Sequence, residues 1–245
     1  MKSIAFHLQK GGTGKTTLSG SIAHELKQRG KTILLDLDPQ GNATSWHLTG
    51  AMAYELADVL QGKVSAGDAI QEADGLFILP TFGLDGGLKV YGETRLNDEP
   101  FIFMDLLEDL KALGFEYVVM DLSPGMGRLE KSALLACDEV ITPMTPEYFG
   151  LDGIEIFTNE LERIRKNMKR APAHKKVVVN AFDSRIGQHV EIQTRAQGLK
   201  FQVFTVPVDP VFRKAQAVHK SPQTFGGMKA ETRAAIEAIG GALWQ

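Results

Sequence analysis

The chain has 245 residues, 43% of them hydrophobic and 23% charged, which is ordinary usage for one large α/β domain or two small ones. Its formal net charge of −3 excludes a protein that holds nucleic acid by overall positive charge. The single cysteine, Cys137, excludes an intrachain disulfide and a four-thiolate metal site, and we expect it to be buried at a helix end. No apolar run reaches the roughly 18 residues that span a bilayer, so a cytoplasmic protein is expected.

Apolar runs of strand length alternate with amphipathic helical stretches, which predicts an α/β fold with a mainly parallel, twisted sheet and helices on both faces. The predicted strands are Ser3–Leu8, Lys31–Asp36, Leu76–Leu79, Tyr117–Asp121, Glu139–Pro143, Lys176–Ala181 and Phe201–Val206. The predicted helices follow Gly14 and then cover Tyr54–Gln61, Ala66–Glu72, Pro100–Leu113, Arg128–Ala136, Leu151–Lys169, Ile186–Gly198 and Lys229–Leu243. No linker rich in Pro, Gly or Ser divides the chain, so residues 1–245 are predicted to form one domain.

A glycine-rich loop follows the first strand and precedes a helical pattern, which is the order that a P-loop requires. Its glycines let backbone N–H groups turn inward around an anion, and the helix N-terminus adds the positive end of its dipole. We therefore expect Lys15 on the β- and γ-phosphates of a nucleoside triphosphate and the Thr16 hydroxyl on Mg²⁺. The predicted nucleotide-binding residues of this loop are Lys10, Gly11, Gly12, Thr13, Gly14, Lys15, Thr16 and Thr17.

A second lysine, Lys10, stands in front of the glycines, and the segment from Lys10 to Thr16 resembles the deviant Walker A motif of the ParA/MinD family of ATPases. The resemblance implies a P-loop NTPase that binds ATP and closes into a nucleotide-sandwich homodimer. In that dimer Lys10 reaches the phosphates bound by the other subunit, as a cation supplied in trans. The resemblance therefore makes Lys10 and Lys15 candidate catalytic residues. The alternative for Lys10 is that it is a loop lysine exposed to solvent with no catalytic role.

The second motif lies at the end of the second predicted strand, where Leu34–Thr44 resembles the ParA/Soj form of the family. Carboxylates at the carboxyl end of a parallel strand lie where open α/β sheets bind ligands. The resemblance implies that Asp38 is catalytic and orients the attacking water, and that Asp36 supports the Mg²⁺ shell or the loop. The alternative for Asp38 is a cap on the turn before Pro39.

The third motif, Tyr117–Gly125, is an apolar strand that ends in an acid and resembles a Walker B strand. The resemblance implies that Asp121 holds Mg²⁺ through a water molecule. Ser123 departs from the family pattern, which usually has two prolines after the acid.

Three later features are matched by position to the family. Glu147–Gly153 is expected at the dimer face beside the nucleotide, with a capped helix N-terminus as the alternative. Asn180, at the end of a strand, is expected to contact adenine, because an amide both donates and accepts hydrogen bonds. Pro207 and Asp209 lie where the family has a proline-containing loop over the purine, although Val208-Asp209 replaces its usual Arg-Asn.

Short members of the family bind DNA without sequence preference, through basic residues on one surface of the ATP dimer. The candidates in this chain are Arg185, Arg195, Lys200, Arg213 and Lys214. A second basic cluster consists of Arg163, Arg165, Lys166, Lys169, Arg170, Lys175 and Lys176. Phosphate contacts of this kind would be strongly salt-dependent, and dimerisation would double them. Solvation and the helix dipole are the alternative explanation of Arg185 and of the second cluster.

The resemblance implies a nucleoid-associated ATPase that partitions or positions DNA, hydrolyses ATP slowly and is stimulated by a ParB-like partner. No helix-turn-helix precedes the glycine loop, so operator recognition is not expected. The alternative is a ParA-like switch or scaffold that positions a protein cargo or a membrane site. The tail from Ala230 to Ile239 has two glutamates and no lysine, so no stable membrane association is expected and the tail is predicted to pack on the sheet.

Overall fold

A single eight-stranded sheet organises the chain in the computed structural model, which describes residues 1–244. In chain order the strands are β1 Lys2–Phe6, β2 Thr32–Leu37, β3 Gln71–Ala73, β4 Leu76–Leu79, β5 Tyr117–Leu122, β6 Glu139–Met144, β7 Ala173–Phe182 and β8 Gln202–Pro207. Their order across the sheet is β3-β4-β2-β5-β1-β6-β7-β8. Neighbouring strands are parallel, apart from the antiparallel pair β3 and β4.

Helices connect the strands. They are α1 Lys15–Leu26, α2 Asn42–His47, α3 Leu56–Leu60, α4 Ala66–Ala69, α5 Leu88–Thr94, α6 Ile102–Ala112, α7 Arg128–Ala136, α8 Tyr148–Met168, α9 Gly187–Gln197, α10 Val211–Gln216, α11 Pro222–Phe225 and α12 Ala230–Leu243. A short 3-10 turn at Gly83–Asp85 precedes α5. Among the described residues, none of the helices is long and apolar enough to cross a membrane.

The sheet separates two hydrophobic cores, because successive side chains of a strand point to opposite faces. In β5, Val118 and Met120 belong to the core beneath α6, α7 and α8, while Val119 belongs to the core beneath α1 and α12. Helices therefore cover both faces, which confirms the predicted α/β fold. The expected places of Cys137 and of the C-terminal tail are also confirmed, since Cys137 is buried at the end of α7 and α12 packs on β8 and α1.

The carboxyl-terminal ends of β1, β2 and β5 lie side by side, and the predicted site residues are found there. In the parallel register of β1, β5 and β2, Asp121 is paired with Phe6 on one side and with Asp36 on the other. The glycine loop leaves β1 at the same edge, and the Asp38 loop leaves β2 there. The topology thus assembles three sequence motifs at the position where open α/β sheets bind ligands.

The structure differs from the predicted elements at the outermost strand of the sheet, β3. The helix predicted over Ala66–Glu72 is wrong beyond Ala69, because Gln71–Ala73 forms β3 and pairs with β4. A turn at Asp74 and Gly75, with φ of 51° and 68°, joins the two strands. Asp-Gly is a strong hairpin signal, because both central residues of this turn need positive φ.

Four short helices are also absent from the predicted set, namely α2, α5, α10 and α11. Each is too short for a helical period to stand out from the sequence. All seven predicted strands are present, with bounds that differ by at most three residues.

Candidate functional site

The glycine loop between β1 and α1 forms an anion-binding turn. Gly12 and Gly14 have φ of 75° and 89°, a left-handed conformation that side chains disfavour. Gly14 is the N-cap of α1, and its carbonyl accepts the first helical hydrogen bond, from Leu18 N at 2.9 Å. The loop therefore presents backbone N–H groups and a helix N-terminus to a common point, as a phosphate site requires.

Lys15 lies beneath this loop with only 7% of its surface exposed. Its ammonium donates to the carbonyls of Lys10 and Leu8, at 2.9 and 3.4 Å. Burial lowers the pKa of Lys15, and the charges of Asp121 and Asp38 oppose that shift. An anion at the loop would supply the missing charge partner of this lysine.

Asp121 is the penultimate residue of β5 and is completely buried, yet neither carboxylate oxygen has a hydrogen-bond partner among the described residues. Burial and then the charge of Asp36 raise the pKa of Asp121 to about 8. The nearby hydroxyls of Thr16 and Ser19 oppose this shift weakly, although neither forms a hydrogen bond of normal geometry with the carboxylate. A buried carboxylate without a donor is costly unless a cation completes it. Carboxylate and hydroxyl oxygens suit Mg²⁺, so Asp121 and Thr16 fit the predicted metal site.

Asp36 holds the loop after β2. Its Oδ2 accepts hydrogen bonds from the backbone and hydroxyl of Thr44, both at 2.7 Å, and its Oδ1 accepts one from Asp38 N at 3.2 Å. Burial raises the pKa of Asp36 to about 7. Two roles are predicted for Asp36, namely support of the Mg²⁺ shell and support of the loop. Because both of its oxygens accept hydrogen bonds from that loop, the structure favours the second role.

Asp38 lies in the wall of the main cavity, whose volume is about 640 Å³. Lys15, Thr16 and the glycine loop line the same cavity. One carboxylate oxygen of Asp38 accepts a hydrogen bond from Gln40 N at 3.0 Å, and burial raises the pKa of the group, opposed by Lys15. The site thus combines a glycine loop suited to an anion, a buried acid that fits a cation and a second acid, and phosphoryl transfer to water needs groups of these kinds.

Lys10 is on the surface beside the glycine loop. Its Nζ lies 2.6 Å from Oε2 of Glu147, the residue that precedes α8. The Lys10 ammonium lowers the pKa of this carboxyl group. In the single chain Lys10 is therefore paired, and its predicted contact with another subunit's phosphates stays a prediction.

The predicted adenine residues lie in two places. Asn180 is beside the glycine loop, where its Nδ2 donates to Thr13 O at 2.9 Å. Pro207 lines a second cavity together with Phe182 and Thr205. Asp209 accepts hydrogen bonds from Val211 N, Lys229 N and the Thr232 hydroxyl, at 3.0, 2.9 and 2.8 Å, and thereby ties the loop after β8 to α12. This arrangement gives Asp209 a structural role and leaves its predicted adenine contact without support.

The candidate DNA contacts differ in their pairing. Arg185 donates from Nε and Nη2 to the carboxylate of Asp183, at 2.9 and 2.6 Å, and Arg195 pairs with Glu191 at 2.7 Å. Within residues 1–244 the side chains of Lys200, Arg213 and Lys214 are exposed and have no acidic partner. Lys200, Arg213 and Lys214 are therefore the better placed of the five for a phosphate contact.

Much of the second basic cluster is engaged within the chain. Arg163 and Arg165 pair with glutamates on α8, and Arg170 donates to the carbonyls of Leu135 and Ala136. Lys176 is buried against Glu139. The cluster is therefore a weaker candidate for DNA than its composition indicates.

The sequence reasoning missed two parts of the site. Glu130 is buried and accepts hydrogen bonds from the Ser123 hydroxyl and from Gly127 N, so it shapes the loop after Asp121. Gly83, Leu84 and Lys89, which follow β4, also line the main cavity. The capping position of Glu130 three residues after Gly127 was readable in the sequence, whereas nothing there indicated the place of Lys89.

Comparison with known proteins is consistent with this geometry. The model of a family described as "AAA domain" matches residues 1–173. The chromosome-partitioning ATPase Soj of Thermus thermophilus is 33% identical over 250 aligned residues, which cover 98% of this chain and 96% of Soj. The chromosome partitioning protein ParA of Caulobacter vibrioides is 31% identical over 76% of this chain and 71% of its own.

The fold has a close counterpart among solved structures. An ATP complex of a variant of McdA from Cyanothece superposes with a TM-score of 0.85 at 18% identity, over the whole of this chain and 96% of McdA. At that identity the likeness shows the fold alone. Because the family model covers residues 1–173 and the Soj relative is aligned over nearly its full length, the chain belongs to the ParA/Soj-type partition ATPases of the ParA/MinD family.

Proposed function

We propose that this ATPase is an ATP-driven switch that partitions or positions DNA. ATP binding closes two copies into a homodimer, the dimer holds DNA without sequence preference, and hydrolysis releases it. The setting we propose is the cytoplasm, in association with the nucleoid. The proposal is supported by three features that lie together: the left-handed glycine loop, the buried Lys15 and the buried carboxylate of Asp121, which has no hydrogen-bond partner within residues 1–244.

The residues divide the work of hydrolysis between them. The glycine loop and Lys15 bind the triphosphate, and Asp121 with Thr16 would hold Mg²⁺, which when bound would offset negative charge on the phosphates. Asp36 holds the loop that carries Asp38, through its bonds to Thr44 and Asp38 N. Asp38 orients the attacking water, and Lys10 of each copy completes the site of the other copy once its pairing with Glu147 is broken.

Slow turnover suits such a switch, because the closed state must persist long enough to act. A ParB-like partner would stimulate hydrolysis by stabilising the reactive arrangement of the dimer. The cation supplied by Lys10 in trans makes ATP occupancy and dimerisation depend on each other.

DNA retention tests the proposal directly. The wild-type protein is measured on nonspecific duplex DNA with ATP and with ADP over a salt series, beside the variants Lys10→Ala and Arg213→Ala/Lys214→Ala. We expect retention with ATP but not ADP at low salt, with a steep decline as salt rises, and loss of retention in both variants. Equal retention with ATP and ADP at low salt would show that DNA is not the ligand of the switch.

A second candidate is a ParA-like switch that positions a protein cargo or a membrane site. The pairing of Arg185 and Arg195 with carboxylates favours it, because it leaves fewer free cations for DNA. The two functions separate by experiment: this candidate predicts ATP-dependent dimers with no DNA retention at any salt concentration. Liposome binding by the intact protein would identify the membrane version.

A further inference from the structure

The segment from Thr81 to Lys89 forms one wall of the nucleotide cavity. It leaves β4, which is the neighbour of β2, and reaches the start of α5. Gly83, Leu84 and Lys89 line the cavity together with Lys15 and Asp38. None of the three sequence motifs includes this segment, so it needs an explanation of its own.

A buried carboxylate fixes the position of this segment. Glu55, which is 3% exposed, accepts hydrogen bonds at Oε2 from the Thr81 hydroxyl and Phe82 N, at 3.1 and 2.7 Å, and at Oε1 from Gly87 N. A side chain at Gly86 would clash with the same carboxylate. A buried acid is rarely tolerated unless it is hydrogen-bonded, and these three donors all belong to the segment from Thr81 to Lys89.

The segment is also joined to the loop that carries Asp38. Thr81 N donates to the Thr44 hydroxyl at 3.0 Å, and that hydroxyl donates to Asp36 Oδ2 at 2.7 Å. The two loops touch through their glycines, since a Cβ on Gly41 would lie 3.0 Å from the Gly83 Cα. The series of hydrogen bonds through Asp36, Thr44, Thr81 and Glu55 therefore fixes the positions of the two loops relative to each other.

Lys89 is the cation that this arrangement brings to the cavity. It is the second residue of α5 and is exposed, and within residues 1–244 its ammonium has neither an acidic partner nor a hydrogen bond. Gly11, Gly12 and Gly14 of the glycine loop line the same cavity. Ammonium groups bind phosphate oxygens through short, charge-assisted hydrogen bonds.

We propose that Lys89 is a further nucleotide-binding residue, which donates its ammonium to the polyphosphate of bound ATP, and that Glu55 is the residue that positions it. The inference rests on the proposed function, because it assumes that ATP occupies the main cavity. It adds a cation from the β4–α5 segment of the same chain to the two lysines of the glycine loop.

The test is nucleotide affinity at low salt for ATP, ADP and pyrophosphate, with wild-type protein, Lys89→Ala and Lys89→Arg. We expect Lys89→Ala to weaken ATP binding about fivefold, the upper range for one exposed ion pair, and to weaken it less as salt rises. Lys89→Arg keeps the charge and should bind within about twofold of wild type. Lys111→Ala removes an exposed lysine of α6 outside the cavity and is the matched control.

The positioning role has its own readout. Glu55→Gln keeps the shape of the side chain but weakens its hold on the segment, so it should lower ATP affinity in wild-type protein and have little further effect in Lys89→Ala. Equal effects of Glu55→Gln in both backgrounds would overturn the positioning role.

Three results would overturn the binding role. One is unchanged ATP, ADP and pyrophosphate affinity in Lys89→Ala. Another is a loss that appears only at protein concentrations where dimers form, since Lys89 would then contact a second copy. A wild-type protein that binds no ATP would refute both this inference and the proposed function, whereas normal wild-type binding with an unaffected Lys89→Ala would refute this inference alone.

Discussion

Lys10 and Glu147 form an ion pair, with Nζ and Oε2 2.6 Å apart, although 137 positions of sequence separate them. The pair joins the glycine loop to the start of α8. It also occupies the ammonium group that the family mechanism assigns to the nucleotide of another subunit. If Lys10 acts in trans as proposed, closing the dimer would require this ion pair to break.

Releasing Lys10 should favour the dimer. We predict that Glu147→Gln strengthens ATP-dependent dimerisation by up to about fivefold, the range of one exposed ion pair, while Lys10→Ala abolishes it. Sedimentation of ATP-loaded protein with hydrolysis blocked measures both effects. Glu162→Gln is the control, because Glu162 forms an exposed ion pair with Arg165 on the same helix. Normal ATP-dependent dimers of Lys10→Ala would contradict the role of Lys10 in trans.

The carboxylate of Asp121 should stabilise the ligand complex and destabilise the free protein. Burial raises the pKa of Asp121 to about 8, so near neutral pH folding must either bury its charge or take up a proton. Asp121→Asn removes that cost, and we predict that it raises the free energy of unfolding of the nucleotide-free protein by about 1–3 kcal/mol. It should also abolish the added stability that Mg²⁺ gives in the presence of ATP. Urea denaturation with and without Mg²⁺-ATP measures both. Asp105→Asn, an exposed change on α6, should alter neither.

Gly14 should tolerate no side chain. A Cβ there would overlap the amide of Asn180, and φ is 89°. We predict that Gly14→Ala abolishes nucleotide binding, and that adding Asn180→Ala restores little, because the backbone strain remains. Gly187→Ala is the control, since its site has open space and ordinary φ. Calorimetry measures the nucleotide affinity of each variant. Wild-type affinity in Gly14→Ala would refute the description of the loop.

Acid should destabilise the protein through its buried histidines. His174 lies between Phe157 and Phe201 and hydrogen-bonds with the Thr142 hydroxyl at 2.8 Å, and burial lowers its pKa from 6.5 to about 4. Between these two values the unfolded chain binds a proton that the folded chain does not. Stability therefore falls with falling pH, at up to about 1.4 kcal/mol per pH unit for this group.

The measurement is urea denaturation at pH 7.5 and pH 5.0. His174→Gln should lower stability at pH 7.5 but reduce the loss between the two pH values, whereas His219→Gln, at an exposed ring, should leave that loss unchanged. Burial lowers the pKa of His7, His24 and His47 as well, so part of the acid sensitivity remains in His174→Gln. The raised pKa values of Asp36 and Asp121 act in the opposite direction over this range, so the prediction concerns the difference between the wild type and His174→Gln. An equal change in stability between pH 7.5 and 5.0 in these two proteins would contradict it.

Much of the site was predictable because its chemistry lies in contiguous motifs. The glycine loop, Asp38 and Asp121 each follow a recognisable strand, and parallel strands that end at one edge must bring them together. Asp36 shows the limit of that reasoning. Its motif allowed a metal role or a loop role, and only the hydrogen bonds to Thr44 and Asp38 N favour the second.

Residue type alone could not show whether a charged side chain is already engaged by other residues of the fold. Asp209 matched a purine-binding position, yet Val211, Lys229 and Thr232 engage its oxygens. Arg185 and Arg195 are candidate DNA contacts by sequence, and in the structure each has a carboxylate partner. A charge is available to a ligand only where the fold leaves it unpaired.

The amino-acid sequence by itself determined the alternation of strands and helices, the glycine loop and the acids at the ends of β2 and β5, because these depend on local periodicity and on backbone freedom at single residues. The tertiary structure alone decided the pairing of Lys10 with Glu147, the isolation of Asp121 and the approach of Lys89 to the cavity. Those depend on contacts between residues far apart in the chain, whose energies are set by burial and by the partners that the fold supplies.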